Sequence, residues 1–170
     1  MTRKILRNTL REIETLIEVR EYQEAIGRCQ AILRSFPKNL AAYRLLGQAY
    51  LENNQYDEAA DIFLRLLSSL PDDFEAHLGL SLIRESQHLL DAAVWHSERA
   101  WEARPASQVM QAETARLAAK LTPATTRPVE LSRVALGRLY LQGKLLPQAL
   151  AELQAALQEN PARFDILVLI

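Results

Sequence analysis

The sequence predicts an all-α fold, a solenoid of about nine to ten helices in antiparallel pairs. Three observations predict it. Ala, Leu, Gln, Glu and Arg dominate and only five Gly occur in 170 residues, so helix propensity is high nearly throughout. No stretch alternates apolar and polar residues between turn residues, as a half-buried strand would. Pro37, Pro71 and Pro105 recur at intervals of 34 residues, each after a segment with apolar residues at helical spacing.

Taken in order, Thr2 to Val19 carries Leu6, Leu10, Ile13, Leu16 and Ile17 on one helical face. A second helix from Tyr22 turns Ala25, Ile26, Cys29, Ile32 and Leu33 inward. It stops at Phe36-Pro37, because proline lacks the amide and clashes with the preceding turn. Residues 39–72 show the layout most completely, as two amphipathic patterns joined by Glu52-Asn53-Asn54-Gln55. Tyr43, Leu46, Gly47, Tyr50, Tyr56, Ala59, Phe63 and Leu66 stand at the spacings such a pair needs for its core. The prolines, with Pro161, set the register for the rest. Twelve residues before each stands Ala25, Ala59, Ala93 or Ala149, and fifteen before stands Tyr22, Tyr56, Leu90 or Leu146. Units at 1–38, 39–72, 73–106 and 129–162 follow, each needing its neighbours to complete a core.

Between Pro105 and Pro161 the register slips by 22 residues. The insertion reads as an unpaired helix, Ser107 to Leu121, followed by the linker Thr122 to Pro128. Seven extended residues reach about 23 Å, against about 22 Å for a 15-residue helix. The linker can therefore return the chain to the starting end, so that Val129 onward packs as another first helix. Residues 163–170 begin a further helix, and Ile166 to Ile170 are apolar on every side, which suits burial. The stretch reads as the truncated start of another unit, with a buried cap or a homo-oligomer contact as alternatives.

Tyr43, Leu46-Gly47, Tyr50, Ala59, Phe63 and Pro71 resemble the pattern of the tetratricopeptide repeat family, as do Leu136-Gly137, Tyr140, Ala149, Leu153, Ala156 and Pro161. The unit at 73–106 resembles it more loosely, with His77 in a bulky slot, Ser81 in the glycine slot and Arg84 where the family has tyrosine. The resemblance implies a right-handed superhelix whose first helices line a concave groove for a peptide or partner helix. Carried over by repeat position, that groove presents Arg7, Leu10, Glu14, Ile17 and Glu18, then Arg44, Gln48, Leu51 and Glu52. Further along it presents Glu75, Leu78, Leu82 and Glu85, then Val134, Arg138 and Leu141. The two-Lys, two-Asn, one-Arg clamp that some members use for chaperone C-terminal carboxylates has no counterpart, since Leu10, Glu14, Leu45, Glu75 and Gly79 stand at its positions.

Physical expectations accompany these. Gly47 and Ala59, and likewise Gly137 and Ala149, are small because two helices cross closely there and a larger side chain would hold them apart. Asp57 and Asp91 stand where a carboxylate caps a second helix, and Pro147 suits a first helical position.

Catalysis needs a convergent constellation, and the sequence offers none. His77, His88 and His96 lack metal-ligand spacing; His77 reads as a core-edge histidine, His88 as a turn residue. Gly143-Lys144 lacks a glycine-rich phosphate loop, and Cys29 is a small inward packing residue. A net charge of −1 with both signs interspersed leaves no basic stripe for nucleic acid. No run of about 18 apolar residues spans a membrane, no secretory signal opens the chain, and a lone cysteine fits a reducing compartment, so a cytoplasmic location is expected. The expected function is non-catalytic protein–protein interaction without cofactor or metal. A self-association module, or an accessory N-terminal domain of a larger protein, is the alternative. Trp101 is expected to pack on the next helix, and Trp95 to sit further out.

Overall fold

The computed structural model describes residues 2–122 and 130–170, with side chains from residue 5 onward. The proline-bounded linker expected at 122–128, and the start at Val129, fall almost wholly outside the described residues. The fold is all-α, with ten helices among the described residues. These are α1 (Thr2–Glu18), α2 (Tyr22–Ser35), α3 (Leu40–Glu52), α4 (Tyr56–Ser69), α5 (Phe74–Ser86), α6 (Leu90–Ala103), α7 (Gln108–Leu121), α8 (Arg133–Gln142), α9 (Leu146–Glu159) and α10 (Phe164–Leu167). The chain divides into two compact units, Met1–Ser69 and Leu70–Ile170.

The 34-residue register reappears in the way helices begin and turn. First helices are capped by Asn39, Asp73 and Ser107, whose side chains accept from the amides of Ala42 (2.9 Å), Ala76 (2.9 Å) and Met110 (3.3 Å). Such a cap satisfies an amide the helix itself cannot reach. Ser132 caps α8 in the same way through Ala135 (3.2 Å), so α8 starts at Arg133, several residues later than Val129. Asp57 and Asp91, expected as caps, lie instead inside the first turns of α4 and α6, because those helices begin at Tyr56 and Leu90. There the carboxylates face the positive end of the helix dipole. Pro147 sits in the first turn of α9, where its missing amide costs nothing. Each turn within a helix pair is closed by one left-handed residue: Arg20, Asn54, His88 and Lys144, with φ between 58° and 66°. Asn54 and His88 are residue types that adopt this conformation more readily than Arg20 or Lys144.

In the first unit, α3 packs against α2 and α4, and α1 against α2 and α3. Ile13, Ile17, Ala25, Ile26, Cys29, Ile32, Ala42, Leu45, Leu46 and Ala49 make a continuous core. The glycines of α3 and α8 stand where neighbouring side chains come close. A Cβ on Gly47 would lie 2.5 Å from the Phe63 ring, so the glycine makes room for an aromatic. On Gly137 it would lie 2.7 Å from Leu153 and 3.5 Å from the Ala149 carbonyl.

In the second unit α6 is shared: α5, α7 and α8 all pack against it, and α8 pairs with α9. Ala100, Trp101 and Met110 form a cluster on which Leu131 also packs. The Trp101 indole donates to the Pro105 carbonyl (3.2 Å). Val134, Leu153, Ala156 and Ile166 form a separate core. The apolar run at 166–170 suits burial, yet only Ile166 and, in part, Leu169 are covered. Phe164 is 70% and Val168 66% exposed.

Candidate functional site

The first unit offers a cleft of about 550 Å³ lined by Glu14, Ile17, Glu18, Arg20, Tyr22, Gln48 and Glu52. Its walls are the first helices α1 and α3, and its end is the α1–α2 turn. Amphipathic patterning makes this possible: α1 commits Ile13 to the core and leaves Glu14 and Glu18 outward. Arg20 reaches the rim because its left-handed backbone turns the chain there. Three carboxylates face one guanidinium, over a floor of Ile17 and the Tyr22 ring. Such a surface favours a cationic, partly apolar partner.

Of the expected groove residues, the structure brings Glu14, Ile17 and Gln48 together around this cleft, with Glu18 and Glu52. Ile17 contributes only a floor, being 6% exposed and part of the core. Arg7 is exposed outside the cleft, and Leu10 is half-buried against the core. Arg44 and Leu51, on α3, are half-buried.

In the second unit the expected residues are mostly engaged. Glu85 accepts from Arg116 (2.6 Å) and Lys120 (2.7 Å) of α7, which hold its carboxyl down at about 2. Leu78 is half-buried on the Trp101 cluster, while Leu82 is 42% exposed. Val134 is 3% exposed and is core, because α8 turns that face to Leu153 and Ile166. Leu141 packs on the same cluster, and Arg138 is tied to Asp72 (2.7 Å). Val134 is therefore a core residue, Leu141 is half-buried, and Arg138 is committed to an ion pair.

Several polar groupings are not foreseen by the sequence reading. His77 Nε2 lies 3.0 Å from the Pro71 carbonyl, and its Nδ1 lies 3.0 Å from Nδ1 of His96. A carbonyl can only accept, so Nε2 of His77 carries the proton and its Nδ1 accepts from His96. Burial pushes His77 below its ordinary value and His96 down to about 4. Trp95, 47% exposed, stands edge-on to both rings. The register carries the signal, since these histidines occupy the places of Tyr43 and Ile62 in the preceding pair. Glu102, 4% exposed, accepts from Ser132 (2.6 Å) and Arg163 (2.7 Å), joining α6 to the starts of α8 and α10. Burial raises its carboxyl, and the Ser132 hydroxyl opposes that. Cys29 is fully buried and burial lifts its thiol to about 12, so it packs and does not react. Among the described residues no three His, Cys, Asp or Glu side chains converge to hold a metal, and no helix is long and apolar enough to cross a membrane.

Comparison with known proteins agrees with this architecture. The tetratricopeptide repeat family profile matches residues 16–83. Human Superkiller complex protein 3 is 27% identical over 92 residues, which are 54% of this chain and 6% of that protein. The Arabidopsis thaliana peptidyl-prolyl cis-trans isomerase FKBP42 is 35% identical over 75 residues, 44% of this chain and 20% of that protein. The chain thus spans a fifth or less of the length of these curated relatives. The crystal structure of a thermophilic TPR protein of Thermus thermophilus superposes with a TM-score of 0.55 at 19% identity, covering 95% of each chain.

Proposed function

We propose, from a chain that belongs to the tetratricopeptide repeat family, that the acidic cleft of the first unit is where this interaction scaffold receives its partner. The family fold supports protein–protein interaction in general. The finer reading rests on one observation, the cleft between α1 and α3 with Glu14, Glu18 and Glu52 set over Ile17 and Tyr22. A helix or extended peptide bearing Lys or Arg beside Leu-type residues fits both its charge and its floor. No covalent chemistry enters; the unit supplies shape, a carboxylate rim and an apolar base.

The test is fluorescence polarisation with a labelled amphipathic peptide carrying Lys on one face and Leu on the other. Gln48→Arg with Glu52→Arg should weaken binding at least about tenfold, near 1.4 kcal/mol, with helicity by circular dichroism unchanged. Affinity should also fall as salt rises. Equal binding by wild type and variant would place the partner surface elsewhere.

A further inference from the structure

The first unit has a second concavity, lined by Gln30, Leu33, Arg34, Tyr43, Leu46, Tyr50, Ile62 and Arg65, of about 400 Å³. None of these residues lines the acidic cleft. The second helices α2 and α4 form its walls. Tyr43, Leu46 and Tyr50, spaced three and four apart on α3, form its floor. From the geometry and charge of this concavity we infer a second docking site, one for an acidic peptide segment that alternates carboxylates with apolar side chains.

Three observations carry the inference. Both charged residues of the lining are arginines, Arg34 and Arg65, and both are exposed. Elsewhere in this unit Arg28 is paired with Glu12 (2.9 Å) and Glu24 (2.5 Å), but Arg34 and Arg65 form no ion pair among the described residues, Asp61 one turn before Arg65 included. A planar guanidinium accommodates a carboxylate through two parallel N–H donors, which a lysine cannot do. Second, Tyr50 Oη already accepts from the Gln30 amide (3.1 Å), which leaves its O–H to donate. The polar edge thus holds donors looking for an anion. Third, Leu33, Leu46 and Ile62 make an apolar base between the arginines, which an inorganic anion would leave uncovered.

This site is independent of the acidic cleft, so the two can be tested apart. The probe is a fluorescein-labelled octapeptide alternating Asp or Glu with Leu. Its controls are the same peptide with Asn and Gln in place of the acids, and inorganic phosphate as competitor. The acidic peptide should bind at least about tenfold more tightly than its amide twin. Arg34→Gln and Arg65→Gln should each weaken it by about five- to tenfold, while Glu18→Gln in the acidic cleft leaves it unchanged. Both arginines are exposed, so neither variant threatens the fold, and the Gln30 side-chain amide resonance should shift on binding. Three results would overturn the inference: equal binding of the twin, indifference to both arginine variants, or displacement by phosphate at concentrations comparable with the peptide, which would mean an adventitious ion only.

Discussion

The pairs α3/α4 and α5/α6 share a register and solve the same packing problem with opposite chemistry. In α3/α4, Gly47 lies under the Phe63 ring, and the crossing is sealed by shape. In α5/α6 the same two places hold Ser81 and Ser97. Ser81 Oγ donates to the Ala93 carbonyl (2.9 Å), and the Ser97 hydroxyl bonds that of Thr114 on α7 (2.7 Å). Tyr43 and Ile62 likewise become His77 and His96, joined by a ring–ring hydrogen bond. The first pair is held by volume and the second by partnered polar groups. A periodic array tolerates either, provided large meets small or donor meets acceptor.

The largest expected effect comes from removing volume. Phe63→Ala should cost about 3–5 kcal/mol in urea unfolding, as a fully buried ring leaves a cavity. Gly47→Ala should cost about 1–3 kcal/mol on its own. In the Phe63→Ala background that cost should largely vanish, because the clashing ring is gone. Costs that simply add would show that the glycine acts through something other than the ring.

The polar pair should respond less to truncation. Ser97→Ala should cost about 1–3 kcal/mol by stranding the buried Thr114 hydroxyl. Changing both Ser97 and Thr114 to Ala and Val should recover part of the loss, since neither polar group then remains unsatisfied.

The smallest and most conditional contrast is in pH. A buried histidine held neutral in the fold but protonated when unfolded loses stability as pH falls from the ordinary value near 6.5 toward 4. The slope is at most about 1.4 kcal/mol per pH unit. Glu102, whose carboxyl burial raises, works in the other direction, so the measurement is the difference between wild type and His96→Gln. That difference should grow on acidification through this window. Parallel curves would mean that His96 takes up its proton equally in both states.

Much of the fold is legible in the sequence because proline, alanine and the bulky slots mark backbone events that every unit must repeat. Pro71 ends a helix wherever it stands, and Gly47 is forced by its neighbour. The atoms nearest a Cβ on Gly47 are those of the Phe63 ring, a contact that sequence spacing leaves open because it gives the face of a helix but not which turn of the partner meets it. Acidic residues of the second helices suggest caps, while the side chains that do cap include Asn39, Asp73 and Ser107, recurring in the same period before the first helices, and Ser132 before α8. Glu14 and Gln48 reach an accessible lining because both follow the polar side of amphipathic helices. Val134 is not recoverable in that way. Its burial comes from the cluster it shares with Leu153, Ala156 and Ile166 of the following helices, and that packing is not written in the spacing of α8 alone.

The sharing of α6 among α5, α7 and α8 has a thermodynamic consequence. An ideal repeat array is a line of neighbours in which an end can fray without disturbing the middle. Within the second unit, α6 is a branch point, and Glu102 near its C-terminal end is bonded to the starts of both α8 and α10. Opening α6 should therefore release three helices together. Amide protons of α5, α7 and α8 should exchange with a common protection, as a single cooperative block with no graded series from the end inward.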